Sequence, residues 1–402
     1  MKNLAGMKRS RFVILLGALT ALIPFTIDMY LPAFPALTEV YQTNASTVQL
    51  SLTACLLGLA LGQLVTGPLS DSQGRRKPLI IFLIVYAVAS IAIVFAPNIY
   101  IFVALRFVQG FAASAGLVIS RAIVRDVSSG AELTRLFALL MVVHNLVPLL
   151  APSVGSAILL FADWRGIFLI LSLLGIVLMM VSAWRLEETL PLERRVPGNL
   201  TETLSNFSVI IKNRKFTGYA LAQGLLIGGV FAYVAGTPFI YQNVYGVSPQ
   251  MFSILFGMNG IGLIIGSYAV GRFSYIWSEK KFLEVALFTA TAAGAILLAV
   301  VLIDGPLWAV VIPIFFFITS LGVVGTASFT LAMEEQSRVA GSASALLGLL
   351  PFILGAVAAP LVGIAGEETA VPLGLIIFTM SLLGLLAYLL LVKRVDNETA
   401  FS

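Results

Sequence analysis

Asp28 and Arg106 are an acid and a base set well inside long apolar segments, whereas the other charged side chains fall in loops, tails or segment ends. An ionisable group in hydrocarbon is costly unless it is paired or faces a watered cavity, so such residues mark ion or substrate paths. An acid that takes up and releases a proton, beside a base that tunes it, is the chemistry of proton-coupled transport. If segment 1 runs outward and segment 4 inward, Asp28 lies about 16 residues into the first and Arg106 about 7 residues into the second. At about 1.5 Å per residue, both then sit in the outer half of a membrane. Burial favours the neutral acid and a nearby guanidinium favours the carboxylate. A carrier built on this pair must therefore change its proton affinity between conformations. A direct salt bridge is one arrangement open to the pair, and a purely structural ion pair near the outer interface is the bland alternative.

Tyr30 and Phe34 lie close to Asp28 in the chain. His144 and Asn145 fall in segment 5, Tyr233 and Tyr241 in segment 7, and Asn259 in segment 8. Apolar and aromatic walls with a few polar groups suit bulky amphiphiles of loose specificity, so these seven are candidate substrate contacts. His144 is the single histidine. It reads either as a second proton site or, more commonly for such a residue, as a helix–helix hydrogen bonder.

Composition sets the elements that carry these groups. Hydrophobic residues make up 59% of 402 positions and charged residues 11%, more apolar side chain than a soluble protein has polar surface to cover. A spanning helix needs about 20 mostly apolar residues. Twelve such segments lie near 12–33, 46–68, 78–96, 99–120, 136–160, 166–185, 216–240, 250–273, 282–303, 306–331, 340–363 and 372–392. With both termini placed in the cytoplasm, every Lys and Arg except Arg106 and Arg165 falls on the cytoplasmic side, as the positive-inside rule requires. The net charge of +5 thus reflects topology, and its division among short loops argues against nucleic-acid binding. The first apolar stretch is too long for a cleaved leader and reads as a span. One cysteine, Cys55, excludes an intramolecular disulfide and a cysteine-rich metal site. No cofactor or metal is expected, and the absence of HExxH and GxSG argues against an intramembrane enzyme.

The connections are short except for a charged, polar stretch at mid-chain. The expected division is a six-helix bundle over 1–186, a cytoplasmic linker over 187–215 and a second six-helix bundle over 216–402. A weak repeat relates the halves. Gly62 and Gly67 correspond to Gly266 and Gly271, and Arg76-Lys77 to Lys280-Lys281, at a shift of 204 residues. Ala151-Pro152-Ser-Val-Gly155 recurs as Ala359-Pro360-Leu-Val-Gly363 at a shift of 208.

Three motifs carry a family resemblance. The run Gly67-Pro-Leu-Ser-Asp71-Ser-Gln-Gly74-Arg75-Arg76-Lys77 resembles the loop signature between helices 2 and 3 of major facilitator transporters. Leu105-Arg106-Phe-Val-Gln109-Gly110 is similar to the helix 4 signature of twelve-span drug:proton antiporters. Ile27-Asp28-Met-Tyr30-Leu-Pro32-Ala-Phe-Pro35 resembles the end of helix 1 in the bicyclomycin/chloramphenicol (Bcr/CflA) branch. Pro148, Pro152 and Gly155 resemble the antiporter motif of helix 5, but depart from it where Ala151 precedes Pro152 and Ser156 follows Gly155.

The resemblance implies the all-α major facilitator fold, two pseudo-symmetric six-helix bundles with the substrate site between them. It also implies a monomer in the cell's inner membrane that exports amphiphilic drugs in exchange for protons. Within it, Gly67, Asp71, Gly74, Arg75 and Arg76 form a gate whose charged latch holds one face shut. The alternative function is a facilitator for a small metabolite such as a sugar or an amino acid.

Overall fold

Among the residues that the computed structural model describes (3–4, 7–195, 207–273, 275–334 and 340–395), twelve stretches are helices long and apolar enough to cross a membrane. The side chain of Asn145 and residues 196–206 of the expected linker lie outside the described set. A two-residue ladder, Asn3–Leu4 with Met7–Lys8, precedes the first helix. The helices are α1 Arg9–Asp28, α2 Phe34–Tyr41, α3 Ala45–Gln73, α4 Arg76–Val94, α5 Ile99–Val127, α6 Gly130–Ile158 and α7 Trp164–Arg185. They continue as α8 Arg214–Phe239, α9 Pro249–Phe273, α10 Glu279–Leu302, α11 Leu307–Glu334, α12 Ala340–Leu361 and α13 Val371–Tyr388. Polar caps open several of them. Asn98, Asp163 and Asn213 accept from backbone N–H groups in the first turns of α5, α7 and α8, which satisfies donors that a helix leaves free at its start.

The chain divides into two compact units, Met1–Thr43 with Ala54–Leu200, and Asn44–Thr53 with Thr201–Ser402. The start of α3 therefore belongs with the second unit. Its side chains reach α8 and α12: Gln49 Nε2 donates to Ala235 O, Thr53 Oγ1 to Ala356 O and Ser46 Oγ to Pro360 O, each at 3.1 Å.

The first span differs most from its sequence reading. It runs from Arg9 to Tyr41 rather than 12–33, and is broken in the middle. α1 ends at Asp28, a 3₁₀ turn covers Leu31–Ala33, and α2 resumes the span. Proline has no N–H, so Pro32 cannot donate to the Asp28 carbonyl four residues earlier, nor Pro35 to the Leu31 carbonyl. The prolines interrupt the span without ending it, because Leu37 and Thr38 beyond them are still buried. Asp28 thus sits at a break within the span, not near its end.

Small residues set how closely the helices pack within each unit. A Cβ on Gly62 of α3 would lie 2.4 Å from Phe111 O of α5, and one on Gly266 of α9 would lie 2.0 Å from Thr319 O of α11. These two glycines are related by the 204-residue shift, so the repeat reproduces a backbone contact in each unit. Gly67 and Gly271, related by the same shift, carry no such constraint: a Cβ would meet only Val118 at 3.9 Å in the first case and nothing within 4 Å in the second. On Gly155 of α6 a Cβ would lie 1.8 Å from Met29 O, directly after the break. Gly155→Ala must therefore push α6 off the break, an overpacking worth about 1–3 kcal/mol. In detergent we expect a lower melting temperature for Gly155→Ala and an unchanged one for Gly271→Ala; equal melting of the two variants would contradict the close approach.

Candidate functional site

The site is built in the first unit around Arg106. Its side chain is fully buried on α5, one turn before Gly110, whose missing Cβ lets α5 touch the Cys55 carbonyl of α3. One guanidinium nitrogen donates to the Thr26 carbonyl of α1 at 2.9 Å, and the other to Gln109 Oε1. Gln109 Nε2 donates to Ser90 Oγ of α4 at 2.8 Å, and Ser90 Oγ donates to the Tyr86 carbonyl at 2.7 Å. The Tyr86 hydroxyl and Thr26 Oγ1 share a further bond of 2.8 Å, which closes a ring of polar groups across α1, α4 and α5. The Tyr30 ring lies 4.1 Å below the guanidinium carbon, and Phe168 of α7 lies 5.6 Å from it. A desolvated guanidinium over an aromatic face gains about 2 kcal/mol. Arg106 is held by neutral dipoles and π-faces, not by a carboxylate.

Asp28 is 5% exposed and, among the described residues, makes no ion pair and no side-chain hydrogen bond. The direct salt bridge considered from sequence is therefore not formed. The two groups nonetheless share a neighbourhood, since Cys55 lies within Coulombic range of both. Tyr30 and Phe34, expected near Asp28 as substrate contacts, are fully buried. Tyr30 is the platform under Arg106, and Phe34 packs edge-on against it at 4.9 Å. His144 of α6 sets its ring against the Thr20 backbone of α1, and its Nδ1 is buried without a partner. Pro148 and Pro152 lie inside α6, where Pro148 cannot donate to the His144 carbonyl.

The other three candidates meet in the second unit. Asn259 Nδ2 of α9 donates to the Tyr233 hydroxyl of α8 at 3.0 Å. Tyr241 sits on the π-helical turn Ile240–Val244 that follows α8 and Pro238, and its hydroxyl lies beside Asn259 outside bonding geometry. Tyr241 Oη and Asn259 Oδ1 are both buried and make no hydrogen bond of good geometry.

The loop motif forms a second polar centre in the first unit. Gly74 supplies the turn with φ +91°, a conformation that suits glycine, whereas Gly67 lies inside α3. The buried Arg75 guanidinium bonds Asp126 Oδ2 of α5 at 2.8 Å, Ser70 Oγ at 2.9 Å, and Asp71. Burial works against its charge, but the hydrogen bonds and charges of Asp126 and Asp71 outweigh it. Arg76 donates from its side chain to the Ala183 carbonyl. Glu188, just after α7, accepts from the backbone N–H groups of Arg75 at 2.8 Å, Leu190 at 3.0 Å and Arg76 at 3.1 Å. Sequence reading assigns no role to Asp126 or Glu188, or to Gln109, Thr26, Tyr86 and Ser90. For Gln109 the signal is present, three residues after Arg106 on the same helical face.

Burial raises the Glu188 carboxyl, but the three N–H bonds and Arg195 outweigh it and hold it below its ordinary 4.5. A depressed folded value adds stability above the unfolded value, and that stability is lost as pH falls through the folded one. We expect Glu188→Gln to melt below the native chain at pH 7, and the gap to close as pH falls below about 4.5. A gap that stays constant with pH would contradict the assignment.

A family model described as Major Facilitator Superfamily matches residues 16–360. The chain is 52% identical over 394 residues, 98% of each chain, to an uncharacterized MFS-type transporter, YdgK, of Bacillus subtilis (strain 168). It is 33% identical over 386 residues to a bicyclomycin resistance protein homolog of Haemophilus influenzae (strain ATCC 51907 / DSM 11121 / KW20 / Rd), covering 95% of this chain and 96% of the relative. Its fold is similar to the crystal structure of a D-xylose-proton symporter, with a TM-score of 0.76 at 14% identity, covering 95% of this chain and 97% of the other. With twelve spanning helices, the loop motif in place and a family of transporters rather than enzymes matched over most of its length, the chain belongs to the major facilitator superfamily, on the side of its bicyclomycin-resistance-type drug transporters.

Proposed function

We propose that this transporter exports amphiphilic drugs from the cell in exchange for protons. In this reading both termini lie in the cytoplasm of a cell whose inner membrane it spans, and Asp28 carries the proton. The observation that carries the reading is a carboxyl group, nearly fully buried at a helix break, with no counter-ion or hydrogen-bond donor beside it among the described residues. An unpaired carboxylate is expensive in a membrane interior, and a proton neutralises it without any other ligand. Both terminal nitrogens of Arg106 are held, by Gln109 and the Thr26 carbonyl, over the Tyr30 ring, and only its Nε is left without a partner, so it contributes a fixed positive potential and does not lock the acid in an ion pair. A cargo that engages the carboxylate then competes with the proton, and exchange follows from binding alone.

The driving force suffices. A potential of ~100 mV supplies roughly 2.3 kcal/mol per charge, and one pH unit adds about 1.4 kcal/mol. One proton thus supports a gradient of a neutral solute of about a few hundred-fold. The relative named for bicyclomycin resistance supports the drug class and makes bicyclomycin the first compound to try.

Efflux is measured from inverted vesicles energised with an acidic interior, with and without an uncoupler. The native chain accumulates drug and loses it on uncoupling. Asp28→Asn, at equal expression and melting temperature, loses at least about tenfold of the energised rate, about 1.4 kcal/mol, while Asp28→Glu retains part of it. Undiminished uncoupler-sensitive accumulation by Asp28→Asn would overturn the role of Asp28. Accumulation of a sugar or amino acid, and of no drug, would favour the metabolite facilitator.

A further inference from the structure

We propose that Arg121 and His144 form a subsite in the first unit for an anionic oxygen group, a carboxylate or a phosphate. Arg121 is the second arginine within α5, fifteen residues beyond Arg106; Nε lacks a partner in both, but the terminal nitrogens of Arg106 are bonded and, among the described residues, those of Arg121 are not. Its Nε is buried without a partner, and among the described residues the side chain makes no ion pair and no hydrogen bond. His144 on α6 lies within Coulombic range of Arg121, and its Nδ1 is likewise buried and unpartnered. Two polar groups without partners on neighbouring helices leave hydrogen-bonding capacity that a ligand can take up.

The backbone explains why the two come together. On α5 a Cβ at Gly116 would lie 2.4 Å from Leu19 O of α1, and on α1 a Cβ at Gly17 would lie 3.5 Å from Val143 of α6. Both helices thus close on α1 around Leu19 and Thr20, and the His144 ring rests against the Thr20 backbone. Helical side chains lean toward the helix N-terminus, so Arg121 leans from its own turn toward the level of Gly116 and Thr20.

The acids at this end of the unit are engaged elsewhere. Asp126 bonds Arg75 and Thr189, and Glu132 pairs with Arg9 at 3.6 Å. Among the described residues Arg125, one turn further along α5, lies within Coulombic range of Arg121 and adds to the positive field. Arg121 is only partly buried and has no counter-charge, so its terminal nitrogens remain accessible to a planar oxyanion, which meets the fork with two parallel bonds. His144 completes the recognition: Nδ1 accepts from an O–H of a protonated acid or phosphate, or donates once the same proton resides on the ring.

Two sources share this chemistry, an acidic amphiphile as cargo and the phosphate of an anionic lipid. The inference rests on the transport reading only where the source is cargo, and binding is read without transport, so the two fail separately. Purified protein in phosphatidylcholine nanodiscs is titrated with radiolabelled decanoate and, as a neutral match, decanol. In a second arm, phosphatidylglycerol retained from mixed nanodiscs is counted by native mass spectrometry. Arg121→Gln is expected to weaken decanoate by about tenfold or more and leave decanol unchanged. Arg121→Lys restores part of the affinity, and His144→Gln, at the native melting temperature, gives a smaller selective loss. Selective loss of decanoate supports the subsite with cargo as the source, and selective loss of phosphatidylglycerol supports it with lipid as the source. Unchanged binding in both arms, or equal loss of decanoate and decanol in every variant, would overturn it.

Discussion

Everything in the first unit is arranged around one guanidinium that has no carboxylate. Arg106 is fully buried, and its charge is distributed over a backbone carbonyl, an amide oxygen and the face of Tyr30. An ion pair with Asp28 would be the simplest solution, but it would also be a trap. A buried pair resists separation because breaking it leaves two uncompensated charges. Arg106 is instead held by groups other than a carboxylate, which leaves Asp28 outside any ion pair among the described residues. The ring from Thr26 through Tyr86, Ser90 and Gln109 makes this stable, because each member both donates and accepts within the apolar interior.

That arrangement requires a backbone that bends where the acid sits and packs closely elsewhere. Pro32 and Pro35 interrupt the first span directly after Asp28, and Gly155 lets α6 come against the Met29 carbonyl in the same place. Gly110 does the same between α5 and α3, one turn from Arg106. The antiporter-like helix 5 motif and the residue after the helix 1 acid therefore meet physically, at a glycine where an added Cβ would crowd the Met29 carbonyl. The departures from the family pattern, Ala151 and Ser156, leave that contact intact. Further from the acid, the loop motif ties α3, α5 and the chain after α7 together through Arg75 and Glu188, so the motif acts as one polar centre and not as a solvated loop.

How much of this is legible in sequence follows from the type of residue involved. Asp28 and Arg106 stand out because a charge in an apolar segment is rare, and the twelve spans stand out because length and hydropathy set them. The setting of Asp28 is not legible, because Pro32 and Pro35 look like a stop, and only the buried Leu37 and Thr38 beyond them show that the span continues. Tyr30 reads as a substrate contact because aromatic residues line binding sites, yet its ring is used to hold Arg106. Thr26 and Ser90 carry no signal of their own because neutral polar residues are common in membrane helices, and only their distances to Tyr86 and Gln109 show a network. Among the glycines, spacing alone puts Gly62 and Gly67 on equal terms, and packing distinguishes them.

Two arginines of α5, Arg106 fully buried and Arg121 partly so, make the same point about charge from opposite sides. Arg106 lies where α1 presents the Thr26 carbonyl, α5 the Gln109 amide backed by Ser90 of α4, and Tyr30 and Phe168 their rings, and it is held there without an anion. Arg121 lies fifteen residues on, where α1 and α6 present the Thr20 backbone and an imidazole nitrogen with no proton donor beside it. Neither helix propensity nor packing volume favours arginine over leucine at such a position, and the cost of an unsatisfied guanidinium argues against it. A residue that is expensive in the state observed is accounted for by a state in which it is not. In the exchange we propose, that state is the protonated acid for Asp28, and for Arg121 it is one with an oxyanion in its fork. The first unit would then carry two sites of opposite preference on one helical scaffold, one that takes a proton and one that takes a negative group.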